Sequence, residues 1–228
     1  MKGPAVMARV LRAIRPYKVR PGNSIYGQSV CPDEINGDEG HFPVLMAGYF
    51  GHSFHLGGLA GVPFVGKTGF GAFSAHAPTD GDVVVVFAPH IGYTLEGDPM
   101  QFLRRGQPVA SAACGAATLA YQQVRSWWPY SADRKDAQQS WLRAKLKPVS
   151  AVISRAEDPM VDLVMETYGA VEKEMLDIIN TDFGTGNLVL IGGIMINMPY
   201  PMAPLFKPLH FTIRSHLGGT KDLMSAFQ

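Results

Sequence analysis

The chain has only two cysteines among its 228 residues, and the sequence around each is suited to holding a metal ion. Cys31 is followed two positions later by the carboxylate of Asp33, and Cys114 stands where an apolar helix is expected to begin. Between them, an apolar run over residues 83–89 ends at His90. Two thiolates and one imidazole give zinc three protein ligands and leave one tetrahedral position open, as in catalytic zinc sites. The carboxylate beside a ligand therefore favours catalysis over a purely structural metal.

Other interpretations of these residues stay open, because their wide spacing matches no short zinc-finger pattern. Free cysteines are often simply buried, and a single disulfide is a further alternative. If His90 is not the ligand, His76 is the best substitute. The other five histidines are weaker candidates as ligands: His41, His52, His55, His210 and His216.

The composition is that of one globular domain over residues 1–228, with 46% hydrophobic and 17% charged residues. The net charge of +1 gives no electrostatic reason to expect nucleic acid, and no apolar run is long enough to cross a membrane. The low charge density favours apolar surface covered by a second subunit, so we expect a homodimer, with higher or hetero-oligomers left open. Two cysteines make no disulfide framework, which favours a reducing intracellular compartment.

The hydrophobic pattern interleaves strands with helices and so predicts an α/β fold. Residues 1–22 carry six basic residues and no acid, which is typical of an amphipathic helical arm or of a transit-peptide remnant; we favour the helix. The glycine-rich residues 51–77 are expected to form a loop region. The predicted strands cover residues 24–31, 83–88, 188–197 and 209–214, and the predicted helices cover 43–50, 112–127, 133–147 and 158–180.

A phosphate-loop pattern, G-x-x-x-x-G-K-[ST], is complete from Gly61 to Thr68. A functional loop of this type needs a buried strand before it and a helix directly after it. The preceding residues make a poor strand and the following glycines a poor helix start. Nucleotide binding is therefore disfavoured and ranks third, behind the two zinc-dependent functions described below. A glycine-rich loop that shapes an apolar pocket is favoured instead.

Several segments resemble a known family. Cys31-Pro32-Asp33 is similar to the Cys-x-Asp element of β-carbonic anhydrases, and His90 with Cys114-Gly115-Ala116 resembles their second element with a long insertion. That variant form resembles the limiting-CO2-inducible protein B (LCIB) family. Residues 57–61, 66–73 and 103–116 resemble this family too, so the resemblance covers roughly half of the chain.

The resemblance implies a β-carbonic-anhydrase-like fold with a central, mostly parallel sheet flanked by helices. It also implies zinc bound by Cys31, His90 and Cys114, with Asp33 beside the metal-bound water. One departure is that the arginine expected two places after the carboxylate is Ile35 here. Arg104 is the expected replacement and Arg105 the runner-up.

The implied reaction is the reversible hydration of CO2 to bicarbonate by a zinc-bound hydroxide that an Asp–Arg pair orients. The alternative is a non-catalytic zinc protein that acts as a regulatory or CO2/bicarbonate-binding subunit of a CO2-concentrating mechanism, because Asp33 could itself ligate the zinc. For an algal or diatom source the resemblance implies the plastid stroma. The candidates for an apolar wall around CO2 are Phe54, Phe64, Phe70 and Phe73. The candidates for a proton shuttle are His52, His55 and His76.

Overall fold

The computed structural model describes residues 1–126, 131–179 and 183–228. Within these ranges there are nine strands: β1 (Ser24–Val30), β2 (Phe54–His55), β3 (Asp82–Ala88), β4 (His90–Gly92), β5 (Gln101–Phe102), β6 (Ser111–Ala112), β7 (Asn187–Asn197), β8 (Leu205–Ser215) and β9 (Thr220–Asp222). The described helices are α1 (Gly3–Ile14), α2 (Phe42–Phe50), α3 (Gly66–Ser74), α4 (Gly115–Arg125), α5 (Ala137–Leu146), α6 (Ser150–Arg155) and α7 (Pro159–Ile178).

The centre of the fold is a seven-stranded sheet in the order β2-β1-β3-β7-β8-β9, with β4 also paired to β7. Strands β2, β1, β3, β4 and β7 run parallel to one another. Strand β8 is antiparallel to β7, and β9 is antiparallel to β8. A short separate hairpin pairs β5 with β6. The predicted α/β fold with a mostly parallel sheet is confirmed.

Strand β3 is buried on both faces, which explains its continuous run of apolar residues. Its alternate side chains enter two different cores. Val83, Val85 and Phe87 belong to the core under α3, α4, α5 and α7, whereas Val84, Val86 and Ala88 belong to the core under α1 and α2. The result is a three-layer domain whose central strands end between two sets of helices.

The predicted N-terminal helix lies on the sheet through Val6, Val10 and Ile14, each fully buried, while Leu11 is only half-buried. The last predicted strand begins earlier than expected, at Leu205, and α6 and the short strands were not predicted. Residues 127 and 180, the expected ends of two helices, lie outside the described residues. None of the described helices is long and apolar enough to cross a membrane.

The expectation that residues 51–77 form only a loop is wrong, because α3 lies within them. Its three glycines disfavour a helix, but Phe70 and Phe73 are buried against the sheet and this tertiary burial outweighs the weak propensity. Gly27 of β1 makes room for one of these rings, since a Cβ there would lie 2.8 Å from Phe73 Cζ. The phosphate-loop pattern therefore does lead into a helix, α3. The residues at the start of the pattern, however, form a 3-10 turn over Leu59–Gly61 and not a strand.

Candidate metal centre

Three side chains that are distant in sequence converge at one buried point. The ligand atoms of Cys31, His90 and Cys114 all lie within 4.8 Å of one another. The three residues are 6%, 1% and 1% exposed. These are the three side chains that the sequence singled out as candidate metal ligands, and His76 is not part of this cluster.

The sheet brings these residues together because parallel strands end at one edge. Cys31 directly follows β1, and His90 begins β4, separated from the end of β3 by Pro89 alone. Cys114 is the N-cap residue of α4, which follows the β5–β6 hairpin. Each of the three side chains is thus held at the end of a regular element instead of by a free loop.

Two glycines of the 57–61 segment set the approach of this backbone to the strand ends. A Cβ on Gly57 would lie 2.6 Å from the Val30 backbone nitrogen, and one on Gly61 would lie 2.6 Å from the Ala88 carbonyl oxygen. Gly61 also has a φ of +80°, which side-chain-bearing residues rarely adopt. Its carbonyl accepts a hydrogen bond of 2.9 Å from Ser29 Oγ. The glycine-rich segment therefore positions the residues immediately before Cys31 and His90.

Asn197, at the end of β7, fixes the orientation of the His90 ring. His90 Nδ1 lies 3.1 Å from Asn197 Oδ1, and because an amide oxygen only accepts, Nδ1 carries the proton. The Asn197 amide nitrogen donates to the Ile35 carbonyl at 2.9 Å and lies 3.2 Å from both Asn36 Oδ1 and His41 Nε2. This tautomer leaves His90 Nε2 unprotonated and free to ligate a metal.

The sequence prediction missed Asn197 and the side chains around it. The available signal was position, since Asn197 is the polar residue that ends a long apolar strand at the edge where the ligands meet. The sequence does not show how β7 is aligned with β4, so it could not show that Asn197 contacts His90.

The two thiols lie close together, and each shifts the pKa of the other. A hydrogen bond from Cys114 is the main cause that lowers the pKa of Cys31 to about 4, assisted by His90 against the effect of burial. The Cys31 thiolate and burial raise the pKa of Cys114. One thiolate is therefore available at neutral pH, and a bound cation would remove the second proton.

Asp33 lies at the edge of the metal centre, with Oδ2 3.9 Å from His90 Nε2. Arg104 Nη2 donates to both of its carboxylate oxygens, at 3.0 and 2.9 Å, and Arg104 Nε donates to Glu34 Oε1 at 2.6 Å. Burial raises the pKa of Asp33, and His90 and Arg104 oppose that effect. Arg105 is exposed, so Arg104 is the arginine that contacts the carboxylate.

The backbone and one hydroxyl hold Arg104 in place. Its Nη1 donates to Ser111 Oγ at 2.8 Å and to the Ala112 carbonyl at 3.0 Å, and its Nη2 donates to the Ala113 carbonyl at 3.2 Å. Ser111 and Ala112 form β6, so the hairpin carries Arg104 to Asp33. Neither this hairpin nor the role of Ser111 was predicted from the sequence.

The donor set fits a divalent zinc ion. His90 Nε2 is buried and has no hydrogen-bond partner in the described part of the chain, which is costly unless a metal occupies that lone pair. Two thiols and an imidazole are the soft and borderline ligands that zinc prefers. Asp33 is outside the cluster of three ligand atoms, since both its oxygens face Arg104.

A cavity of about 390 Å³ opens beside Cys31 and Asp33. Its wall includes the apolar side chains Val30, Pro43 and Val44, and the exposed His55 lies at its rim. None of the four phenylalanine candidates for the CO2 wall lines this cavity: Phe70 and Phe73 are core residues, and Phe54 and Phe64 are not among the residues of its wall. His52 and His76 line a different cavity, next to Phe54.

Comparisons with known proteins agree with this geometry. The family described as limiting CO2-inducible proteins B/C beta carbonic anhydrases matches residues 1–215. The crystal structure of PtLCIB4, a homolog of the limiting CO2-inducible protein LCIB, is 33% identical and covers 97% of this chain and 94% of that chain, with a TM-score of 0.88. The crystal structure of LCIB is 20% identical over 98% of this chain and 93% of that chain, with a TM-score of 0.76, which shows a shared fold. A search of the curated proteins gave no match.

Proposed function

We propose that this chain, which belongs to the family of limiting CO2-inducible proteins B/C beta carbonic anhydrases, is a zinc-dependent carbonic anhydrase that interconverts CO2 and bicarbonate. The observation that carries the proposal is the placement of the Asp33–Arg104 pair beside the buried Cys31, His90 and Cys114 cluster. When bound, zinc supplies Lewis acidity that generates a nucleophile from water near neutral pH.

Asp33 is proposed to be the catalytic carboxylate. Its Oδ2 is close enough to the metal centre to accept a hydrogen bond from the attacking water and so to direct a lone pair towards CO2. Arg104 keeps this carboxylate ionised, because the charge-assisted pair opposes the rise in pKa that burial causes. Arg104 also prevents Asp33 from rotating, since it contacts both carboxylate oxygens.

The cavity beside Cys31 suits a small apolar substrate and a charged product. Val30 and Val44 supply an apolar surface for CO2, whereas Gln28 and His55 at the rim are polar. His55 Nδ1 lies 3.5 Å from Gln28 Nε2 and the ring is exposed, which suits proton transfer to solvent. We propose His55, rather than His52 or His76, as the proton shuttle.

The homodimer is also a proposal. It is supported by the low charge density and by the exposed aromatic side chains Phe54, at 38%, and Phe64, at 40%. Sedimentation equilibrium on the zinc-loaded protein would give the mass of the assembly directly.

The test is stopped-flow CO2 hydration on protein whose zinc content is determined on the same sample. We expect acceleration that scales with bound zinc and that falls by roughly two orders of magnitude or more in Asp33→Asn, with zinc retained. Asp38→Asn, which alters a carboxylate outside the cluster, is the matched control. Zinc-replete protein that gives no acceleration would refute the enzyme and leave a regulatory or CO2/bicarbonate-binding role.

A further inference from the structure

A basic concave surface, here called the basic cradle, lies at the end of the N-terminal helix. It is a cavity of about 510 Å³ lined by Leu11, Arg12, Arg15, Lys18, Val19, Arg20 and Tyr49. Four of these seven residues are cationic and none is acidic. The volume is within the range of roughly 300–1,000 Å³ that small-molecule sites occupy.

The charge of the cradle is not compensated nearby in sequence. The first acidic residue of the chain is Asp33, so residues 1–32 carry six basic residues and a charge of +6, while the remaining residues carry −5. Among the described residues, none of the four cradle cations forms an ion pair. A concave surface with four unpaired cations concentrates anions.

Cations near a helix end often serve only to offset the helix dipole. That reason applies to Arg12 and Arg15, which lie at the end of α1. It does not apply to Lys18 and Arg20, which lie beyond the helix. Lys18 has a left-handed φ of +62°, a conformation that non-glycine residues rarely adopt, so the chain turns sharply here.

The surroundings of the cradle favour a small anion over a membrane surface or a nucleic acid. Membrane insertion of α1 is disfavoured, because the apolar face of the helix is already buried against the sheet through Val6, Val10 and Ile14. A nucleic acid needs an extended basic surface, whereas this one is a single concavity. Tyr49 is 37% exposed and, with Leu11, gives the cradle an apolar wall beside the cations.

We propose that the basic cradle binds a small phosphate-bearing anion, with the arginine and lysine side chains on the phosphate oxygens and the apolar wall on the rest of the molecule. The cradle lies at the amino end of β1 and the metal centre at its carboxyl end, and this strand has seven residues. At about 3.3 Å per residue the two sites are roughly 20 Å apart, so the proposal does not depend on the carbonic anhydrase function.

The experiment is isothermal titration calorimetry at low salt with pyrophosphate, inorganic phosphate and ATP as probes, on the zinc-loaded protein. We expect pyrophosphate to bind the wild type more tightly than inorganic phosphate, because it can contact more of the cations. The double variant Arg12→Gln, Arg15→Gln should weaken binding by about tenfold or more. Both side chains are exposed, so the variant should fold normally and keep its zinc content and CO2 hydration rate.

Two variants control for other basic sites. Lys67→Gln removes the lysine of the phosphate-loop pattern, and the double variant Arg134→Gln, Lys135→Gln removes an exposed basic pair elsewhere. Both should bind pyrophosphate like the wild type. The proposal is overturned if the wild type binds no probe, if all variants bind equally, or if Lys67→Gln is the variant that loses binding. Binding to phosphoinositide vesicles in the absence of pyrophosphate binding would assign the cradle to a membrane surface and would also overturn it.

Discussion

Arg104 donates from one guanidinium nitrogen to both carboxylate oxygens of Asp33, at 3.0 and 2.9 Å, across a sequence separation of 71 residues. The family pattern that the sequence resembles has an arginine two positions after the carboxylate, where this chain has Ile35, and Arg104 was the expected replacement. The β5–β6 hairpin instead delivers an arginine from the insertion between His90 and Cys114. The same pair can therefore be built from a different part of the chain.

Arg104→Lys tests this pair. A lysine keeps the positive charge but cannot reproduce the planar set of contacts to Asp33, Glu34 and the β6 backbone. We expect kcat/KM for CO2 hydration to fall by about tenfold or more, with zinc content unchanged. Arg105→Lys, one residue away and exposed, is the matched control and should behave like the wild type.

Replacement of either cysteine tests the ligand set. Cys31→Ser and Cys114→Ser each remove a thiolate that zinc prefers and leave a hydroxyl that remains protonated at neutral pH. We expect both variants to lose stoichiometric zinc by inductively coupled plasma mass spectrometry. Full zinc retention in both would defeat the assignment of these two ligands.

Asn197→Ala tests the residue that orients His90. The variant removes the acceptor that fixes the ring tautomer and also breaks the contacts to Ile35 and Asn36. Zinc affinity, measured by competition with a chelator, should fall by roughly 10–100-fold. Asn187→Ala, at the other end of the same strand, removes the side-chain hydrogen bond to Asp82, keeps the backbone one, and should leave zinc affinity unchanged. Equal affinities in both variants would show that Asn197 has no influence on the metal centre.

Replacement by alanine should lower the free energy of unfolding at Gly61 and raise it at Gly71, because the two glycines have different surroundings. Gly61→Ala forces a left-handed residue and a contact of 2.6 Å with the Ala88 carbonyl, so we expect a loss of about 2 kcal/mol or more of unfolding free energy and weaker zinc binding. Gly71→Ala meets no atom within 4 Å and lies inside α3, so it should stabilise by about 0.5–1 kcal/mol. Urea denaturation of both variants measures this difference.

The buried His41 makes stability depend on pH. Burial lowers the pKa of His41, so the folded protein keeps the ring neutral at pH values where the unfolded chain protonates it. Its contribution is complete above the unfolded pKa of about 6.5 and is lost as the pH falls below it, by at most about 1.4 kcal/mol per pH unit. His41→Gln should reduce this loss of stability between pH 6.5 and 5 relative to the wild type.

The control for His41 is the exposed His216, and His216→Gln should retain the full pH dependence of the wild type. Urea denaturation at a series of pH values gives the slopes. A His41→Gln slope identical to that of the wild type would show that other groups cause the acid sensitivity.

The sequence predicted what depends on local chemistry and on periodicity. The strand over residues 83–88 was evident from its β-branched apolar run, and Cys31, Asp33 and Cys114 were evident from their neighbours. What depends on register between distant segments was not predictable. The Asn197–His90 contact and the hairpin that carries Arg104 are of this kind, and α3 was missed because buried phenylalanines overrode its glycines.

The pairing of β4 with β7 has a consequence for synthesis of the protein. His90 pairs with Met195 and contacts Asn197, which lies 107 residues further along the chain. Since ribosomes release the chain from its amino end, all three metal ligands emerge well before the strand that fixes His90. We therefore expect stable metal loading only after nearly the whole chain has been made. Until then the nascent chain carries the thiols of Cys31 and Cys114 without the strand that holds His90 in place.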